Sequence, residues 1–339
     1  MGKTRVAING FGRIGRLAFR LGWNESSYDV VHINEVAVVE SSAYLAKYDS
    51  VHGTWDKAVE VKEGDLLVDG KVVTYSQAKT VAEGPWKEKK IDVVLECTGV
   101  FLTREKLQPY FDAGVKKVIV SAPVKEDVLN IVYGCNDTHY DPKKDHLITA
   151  ASCTTNCLAP VVKVIQENFG IVKGCITTVH NVTNTQTIVD APNSKKSDLR
   201  RGRSGLCNLA PTSTGSATAV TLVYPELKGK LNGLAIRVPL LNGSITDCVF
   251  EVAKTVTVQE VNAALKIASE SSPLKGILGY EEQPLVSTDF INDKRSGIVD
   301  ALSTMVIDGT MVKLYVWYDN EYGYSCRMVD ICKMVVKKL

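Results

Sequence analysis

The hexapeptide Ser152-Cys153-Thr154-Thr155-Asn156-Cys157 sets a thiol between hydroxyl side chains, directly after an apolar run and where a helical pattern begins. A thiol at a helix N-terminus lies among unpaired backbone N–H groups at the positive end of the helix dipole, and both favour thiolate. Cys153 is therefore the candidate nucleophile, with an expected lowered pKa. His180, one of five histidines, closes the next strand-like run, Gly174-Cys175-Ile176-Thr177-Thr178-Val179-His180. Its imidazole, which titrates near neutrality, is the candidate base. Taken singly, each residue has an ordinary explanation: a cysteine is commonly a small buried hydrophobe, and a strand-end histidine a hydrogen-bonded polar group. Cys153 and Cys157 stand at i,i+4, but no cluster of histidines or acids completes a metal site, so no metal is expected and Cys157 is expected inside.

A second constellation at the start of the chain raises the weight of the first. Thr4-Arg5-Val6-Ala7-Ile8-Asn9 reads as a strand, Gly10-Phe11-Gly12-Arg13-Ile14-Gly15 as a glycine turn, and the residues after it as a helix. The run Val30-Val31-His32-Ile33-Asn34-Glu35 is a second strand ending in an acid. Strand, turn, helix and terminal acid together form a dinucleotide fingerprint, which a GxGxxG alone does not. Gly10 permits the tight turn, Gly12 the approach of the pyrophosphate and Gly15 the packing of helix on strand, with the anion held at the helix N-terminus. Glu35 would accept hydrogen bonds from the ribose hydroxyls and repel a 2′-phosphate, so the expected cofactor is NAD.

The elements that must position these groups fall into two patterns. Short apolar strands at 92–97, 117–121 and 130–134 alternate with helices, one of them over 104–113, which points to a parallel sheet covered on both faces. Residues 60–74, punctuated by Gly64-Asp65 and Asp69-Gly70, read as small antiparallel strands inserted there. After Cys153 come a helix to about Phe169, strands at 174–180, 231–239, 246–253 and 310–318, and a helix at 258–269. The expected fold class is α/β: a Rossmann-type parallel-sheet NAD-binding domain, 1–152, with an α+β catalytic domain on a mixed sheet, 153–319, and a C-terminal segment, 320–339, whose helix over 325–338 returns to the first domain. Residues 183–213 are polar, basic and too long for an idle connector, so they are expected to bind something or to pack against a neighbouring subunit.

At 339 residues the chain is long enough for two ordinary domains. A formal net charge of +2 offers no electrostatic case for nucleic acid or membrane partners, and no run of eighteen apolar residues offers a membrane span. Nine cysteines without a CxxC pair suggest reduced thiols. With a core strand beginning almost at Met1 and no signal or transit pattern, a cytoplasmic location is expected.

The chain resembles phosphorylating glyceraldehyde-3-phosphate dehydrogenase from end to end. The resemblance runs through Asn9 to Arg16, Tyr48-Asp49-Ser50-Val51-His52-Gly53, Cys97-Thr98-Gly99-Val100-Phe101, Ser121-Ala122-Pro123 and Ser152 to Cys157. It continues through Asp198-Leu199-Arg200-Arg201, Pro211-Thr212-Ser213-Thr214-Gly215, Tyr224-Pro225-Glu226-Leu227, Arg237-Val238-Pro239 and the stretch from Trp317 to Ser325. It implies that Cys153 adds to the aldehyde of glyceraldehyde 3-phosphate and that His180 takes up the hydroxyl proton as hydride leaves for NAD. Inorganic phosphate then attacks the thioester to give 1,3-bisphosphoglycerate. The same resemblance places anion contacts on Ser152, Thr154, Thr183, Arg201, Thr214, Gly215 and Arg237, and cofactor contacts on Phe11, Arg13, Ile14, Lys79, Ser121 and Asn320. It also implies a homotetramer.

Departures cluster around the anion residues. The segment Asn181-Val182-Thr183-Asn184-Thr185-Gln186-Thr187 differs from the family's usual sequence and is similar to a divergent branch associated with arsenate resistance, in which 1-arseno-3-phosphoglycerate would form. The loop 190–198 is slightly long, and Leu240-Leu241-Asn242-Gly243 is unusual after Arg237-Val238-Pro239. Glu35 stands where Asp is usual and Lys79 near a usual Arg. Ala191 is shared with NADP-using relatives, and Lys195 or Lys196 is a candidate cation for a 2′-phosphate. Two other readings are a same-fold erythrose-4-phosphate dehydrogenase, in which water meets the thioester, and a non-catalytic binding protein that has kept the fold. Intact Cys153, His180, Arg237 and Asn320 speak against the last.

Overall fold

A computed structural model describes residues 2–124, 128–192, 198–221 and 223–339; Lys195 and Lys196 lie outside the described residues. The chain divides into two compact units, one made of Met1–Ser152 with Ser325–Leu339 and the other of Cys153–Tyr324.

The first unit is built on a nine-stranded sheet in the order Val59–Lys62, Asp65–Val68, Lys71–Ser76, Tyr28–Asn34, Thr4–Asn9, Val93–Glu96, Lys117–Val120, Leu147–Thr149, Leu129–Asn130. From Lys71–Ser76 onward every pairing is parallel. The two outer strands on the other edge form the expected antiparallel insert. Val93–Glu96 and Lys117–Val120 are buried at every position, which is why their sequences are nearly unbroken apolar runs. The chain leaves Thr4–Asn9 toward one side and returns to pair with it from the other, so the strand order reverses at the end where the glycine turn sits. The run at 130–134 does not extend as a strand: only Leu129–Asn130 pairs. The Asn136 side chain takes the Val132 N–H at 2.8 Å and donates to the Asn130 carbonyl at 2.9 Å, turning the chain before a longer ladder forms.

The second unit has a seven-stranded mixed sheet in the order Ala210–Ser213, Leu231–Val238, Ile171–Asn181, Ser244–Val252, Met311–Tyr318, Gly297–Ile307, Leu278–Glu281. The helix Cys153–Phe169 packs on it, and a second helix, Val258–Glu270, opens with a Thr257/Glu260 capping box. Gly297–Ile307 is an eleven-residue strand that the polar Asp300, Ser303 and Thr304 conceal in the sequence, and its ladder shifts register between Asp300 and Met305. The last helix, Tyr322–Val336, begins three residues before its expected start because Asp319 Oδ1 accepts the N–H groups of Glu321 and Tyr322. Its later residues belong to the first unit, where Lys333 pairs with Glu25 at 3.1 Å.

Candidate active site

Cys153 is the first residue of its helix. The turn before it is strained, since Ala151 is held at φ 53°, a left-handed conformation that costs a residue with a Cβ about 1–2 kcal/mol. The strand Ile171–Asn181 carries the candidate base, His180. Ile176, Thr178 and His180 alternate on its buried face, so the period of two carries His180 to the same side as the strand's apolar anchor. His180 Nε2 then lies 3.7 Å from Cys153 Sγ.

Register completes the cluster. In the parallel ladder His180 is directly opposite Arg237, and Arg237 Nη1 reaches His180 Nδ1 at 2.6 Å and the Asn181 carbonyl at 3.3 Å. The Asn181 carbonyl itself lies 2.8 Å from Nδ1. These two neighbours ask opposite things of one nitrogen. An Nδ1–H donated to the carbonyl leaves the Nε2 lone pair facing sulfur, whereas a guanidinium N–H donated to Nδ1 puts the ring proton on Nε2.

The electrostatics differ from the sequence expectation at both reacting groups. Burial pushes the Cys153 thiol up from its ordinary value, while the Arg237 charge and hydrogen bonds from Thr154 and the backbone pull it down; burial wins. The side chain is only half-buried, so water moderates that upward push. His180, 4% exposed, is lowered to about 3 by burial first and then by the charges of Arg237 and Arg201. The imidazole is thus neutral through the physiological range and able to accept a proton.

The anion residues expected from the family resemblance are only partly brought together. Arg201 is 7% exposed, and its Nη1 donates to Thr185 Oγ1 at 3.0 Å. Thr185 Oγ1 is 2.9 Å from Thr183 Oγ1. Arg237 Nε is buried with no partner among the described residues, a donor without an acceptor. Thr154 differs: its hydroxyl is buried and shared with Tyr318 OH at 2.9 Å. Thr214 Oγ1 bonds Ser216 Oγ and accepts its N–H, and Gly215 opens on space where a side chain would meet nothing. Ser152, half-buried, immediately precedes the nucleophile.

Tyr318 is a functional position that the sequence did not reveal. Its hydroxyl joins Thr154 to Thr178, at 2.9 and 2.8 Å, and its ring meets His180 edge-on at 6.0 Å. It therefore braces the nucleophile's helix against the base's strand. Only the aromatic residue itself was visible; its partners lie more than a hundred positions away.

In the first unit the glycine turn has the geometry a dinucleotide needs. Gly10 sits at φ 88°, and a Cβ on Gly15 would lie 2.1 Å from the Gly10 carbonyl oxygen. Gly12 is the N-cap of the helix Arg13–Gly22, offers no capping side chain, and a Cβ there would meet nothing. With no acid in the first turn, the helix N-terminus has both the room and the N–H donors for a pyrophosphate, so the residues present fit NAD. Glu35 follows the strand Tyr28–Asn34, and its carboxylate accepts the Phe11 N–H at 2.7 Å. The Phe11 ring is buried against Phe19, so only its backbone faces the turn. Arg13 is paired with Asp49. Ile14 is half-buried on the first turn, Ser121 is anchored by its N–H on the Glu96 carbonyl, and Lys79 is exposed in the loop after Lys71–Ser76. In the second unit Asn320 is buried and its Oδ1 accepts from Ser244 Oγ at 3.3 Å, which fixes the amide's orientation.

Comparison with known proteins gives a consistent picture. A family model described as glyceraldehyde 3-phosphate dehydrogenase, NAD binding domain, matches residues 4–104, and one described as the C-terminal domain of the same enzyme matches residues 152–320. The chain is 58% identical over 338 residues to glyceraldehyde-3-phosphate dehydrogenase 3 of a Nostoc species, covering 99% of each chain. It is 52% identical over 335 residues to glyceraldehyde-3-phosphate dehydrogenase of Geobacillus stearothermophilus, again over 99% of each. Glyceraldehyde-3-phosphate dehydrogenase 1 of Bacillus subtilis is 50% identical over 335 residues, with the same coverage.

Proposed function

Since the chain belongs to the glyceraldehyde-3-phosphate dehydrogenase family and is an NAD-dependent oxidoreductase acting on glyceraldehyde 3-phosphate, we propose that Cys153 and His180 carry the oxidation and that inorganic phosphate takes the acyl group. The observation that carries this reading is the 3.7 Å approach of Cys153 Sγ to His180 Nε2 beside the Arg237 guanidinium.

Cys153 adds to the aldehyde carbon, giving a hemithioacetal. Thr183 and Arg237 hold the substrate phosphate; drawing the guanidinium onto that phosphate leaves His180 Nδ1–H on the Asn181 carbonyl and the Nε2 lone pair free. His180 then takes the hemithioacetal hydroxyl proton as hydride leaves, and bound NAD supplies the hydride acceptor. Gly10, Gly12 and Gly15 with Glu35 hold the dinucleotide, and Asn320 orients its nicotinamide amide. The resulting thioester is attacked by a phosphate oxygen held by Ser152, Thr154, Arg201, Thr214 and Gly215. The carbon–sulfur bond breaks, the thiolate leaves, and 1,3-bisphosphoglycerate is released. Residues 1–152 serve the cofactor, 153–324 the catalysis, and 325–339 return to the cofactor domain, five residues later than the 320 expected from sequence.

The assembly is a homotetramer in the cytoplasm. Support comes from Ile188, Val189, Leu199, Leu206, Leu209, Leu240 and Leu241, all exposed, more apolar surface than isolated solvent-facing residues account for. None of the nine cysteines is in a disulfide among the described residues, which fits a reducing compartment, and among the same residues no helix is long and apolar enough to cross a membrane.

The test is a pre-steady-state NADH burst with glyceraldehyde 3-phosphate, followed by turnover with and without phosphate. Cys153→Ser should bind NAD but give neither burst nor turnover, because a hydroxyl at neutral pH is a far weaker nucleophile than a thiolate. Turnover unaffected by phosphate, or faster with erythrose 4-phosphate, would overturn the acyl-acceptor or substrate assignment.

A further inference from the structure

Thr185 belongs to neither the nucleophile–base pair nor the anion contacts named above, yet its hydroxyl lies between two of those contacts. Arg201 Nη1 donates to Thr185 Oγ1 at 3.0 Å, which occupies a lone pair of that hydroxyl. Thr185 Oγ1 is 2.9 Å from Thr183 Oγ1, and Thr183 Oγ1 donates to Gln186 Oε1 at 3.3 Å. Gln186 Oε1 also accepts the Thr183 backbone N–H at 3.0 Å, which fixes the acceptor end of the row. With Thr183's proton directed to Gln186 and Arg201's directed to Thr185, the Thr183 oxygen is placed to accept from the Thr185 hydroxyl, and the contacts form a row of Arg201, Thr185, Thr183 and Gln186.

We propose that Thr185 is a positioning residue that relays the Arg201 charge to the Thr183 hydroxyl and so sets the affinity for the phosphate group of the aldehyde substrate. Hydrogen bonds in a row polarise one another, and a buried cation at one end makes the hydroxyl at the other a stronger donor. An oxyanion docking on Thr183 takes the proton that Thr183 otherwise gives to Gln186. Gln186 loses little by this, because its amide partner remains. The consequence is specific to phosphate-bearing substrates: an aldehyde without phosphate does not engage Thr183 and is indifferent to the relay. This inference rests on the assignment of Thr183 to the substrate phosphate.

The experiment compares the parent, Thr185→Val and Thr185→Ser, using glyceraldehyde 3-phosphate and unphosphorylated glyceraldehyde as substrates. Valine keeps the shape and removes the hydroxyl. It should raise KM for glyceraldehyde 3-phosphate about tenfold, equivalent to about 1.4 kcal/mol, with the hydride burst at saturation altered by less than twofold. kcat/KM for glyceraldehyde should stay within twofold of the parent, and serine should restore the KM. Equal losses on both aldehydes would mark a purely structural role and overturn the proposal, as would an unchanged KM in Thr185→Val or no rescue by serine. Failure of the parent to produce a burst with glyceraldehyde 3-phosphate would instead strike the functional reading beneath it.

Discussion

Replacing Arg237 by Leu tests whether one guanidinium sets the charge state of both reacting groups. The cation touches His180 Nδ1 at 2.6 Å and lowers both pKa values, that of His180 after burial and that of Cys153 against burial. Its loss should therefore raise both. A charge at roughly 4–6 Å shifts a neighbour by about 1–3 pKa units. Because Cys153 is half-buried, water screens part of that interaction, and the thiol midpoint should still rise, the alkylation rate at a fixed pH below it falling about tenfold for each pKa unit gained. Iodoacetamide reports this directly: it is uncharged, so its rate follows the thiolate fraction and owes nothing to phosphate binding. Cys175 and Cys207 are exposed and must be replaced by serine in both proteins, with alkylation of Cys153 followed by peptide mass. His180 moves in the same direction. Its pKa, about 3 in the parent, climbs toward the ordinary histidine value, and the base is lost as pH falls through the raised pKa. The acidic limb for unphosphorylated glyceraldehyde should thus shift to higher pH. An alkylation midpoint that stayed in place or fell would refute the reasoning.

Three other outcomes are expected. His180→Asn should lower kcat by about 10²–10⁴-fold, the range for a positioned general base; an unchanged rate and pH profile would make the residue structural. Gly12→Ala should keep the melting temperature and lose NAD affinity, because its Cβ meets nothing in the protein but occupies the space of the pyrophosphate, whereas Gly15→Ala, with a Cβ 2.1 Å from a backbone oxygen, should lose both affinity and about 1–3 kcal/mol of stability. Calorimetry and NAD titration of the pair separate the two roles. Glu35→Gln should raise the NADP-to-NAD ratio of kcat/KM about tenfold by removing a like charge from the ribose site, and a parent already faster with NADP would contradict the assignment.

The parts of this protein that could be read from sequence are those whose cause is local. The strand, glycine turn and helix at 4–22 need only neighbouring residues to form, and the start of Cys153–Phe169 follows from the apolar run before it. Gly297–Ile307 escaped because its pattern is interrupted where the ladder changes register, a fact about its partner strand rather than about itself. The site follows the same division. Cys153 and His180 announced themselves by type and position, whereas Arg201, Arg237 and Thr183 came from family resemblance, since nothing in an isolated arginine or threonine predicts an anion.

Tyr318 shows what local reading must lose. Its hydroxyl bonds Thr178 and Thr154 across separations of 140 and 164 residues. Those contacts follow from the order of strands in the mixed sheet, where Ser244–Val252 lies between Ile171–Asn181 and Met311–Tyr318. Register decides the rest: Thr178 stands opposite Thr246, and Ser244 stands opposite Tyr318, so the aromatic at the strand's end reaches across the intervening strand to the base's own face. The same ladder logic put Arg237 against His180, so the imidazole is buried beside a cation, while burial raises the half-buried thiol against that cation's pull. A thiol pushed up by burial and an imidazole held neutral are not a ready ion pair. In the proposed mechanism their reactivity depends on where the Arg237 guanidinium is drawn, and the substrate's phosphate takes part in preparing the base that acts on its aldehyde.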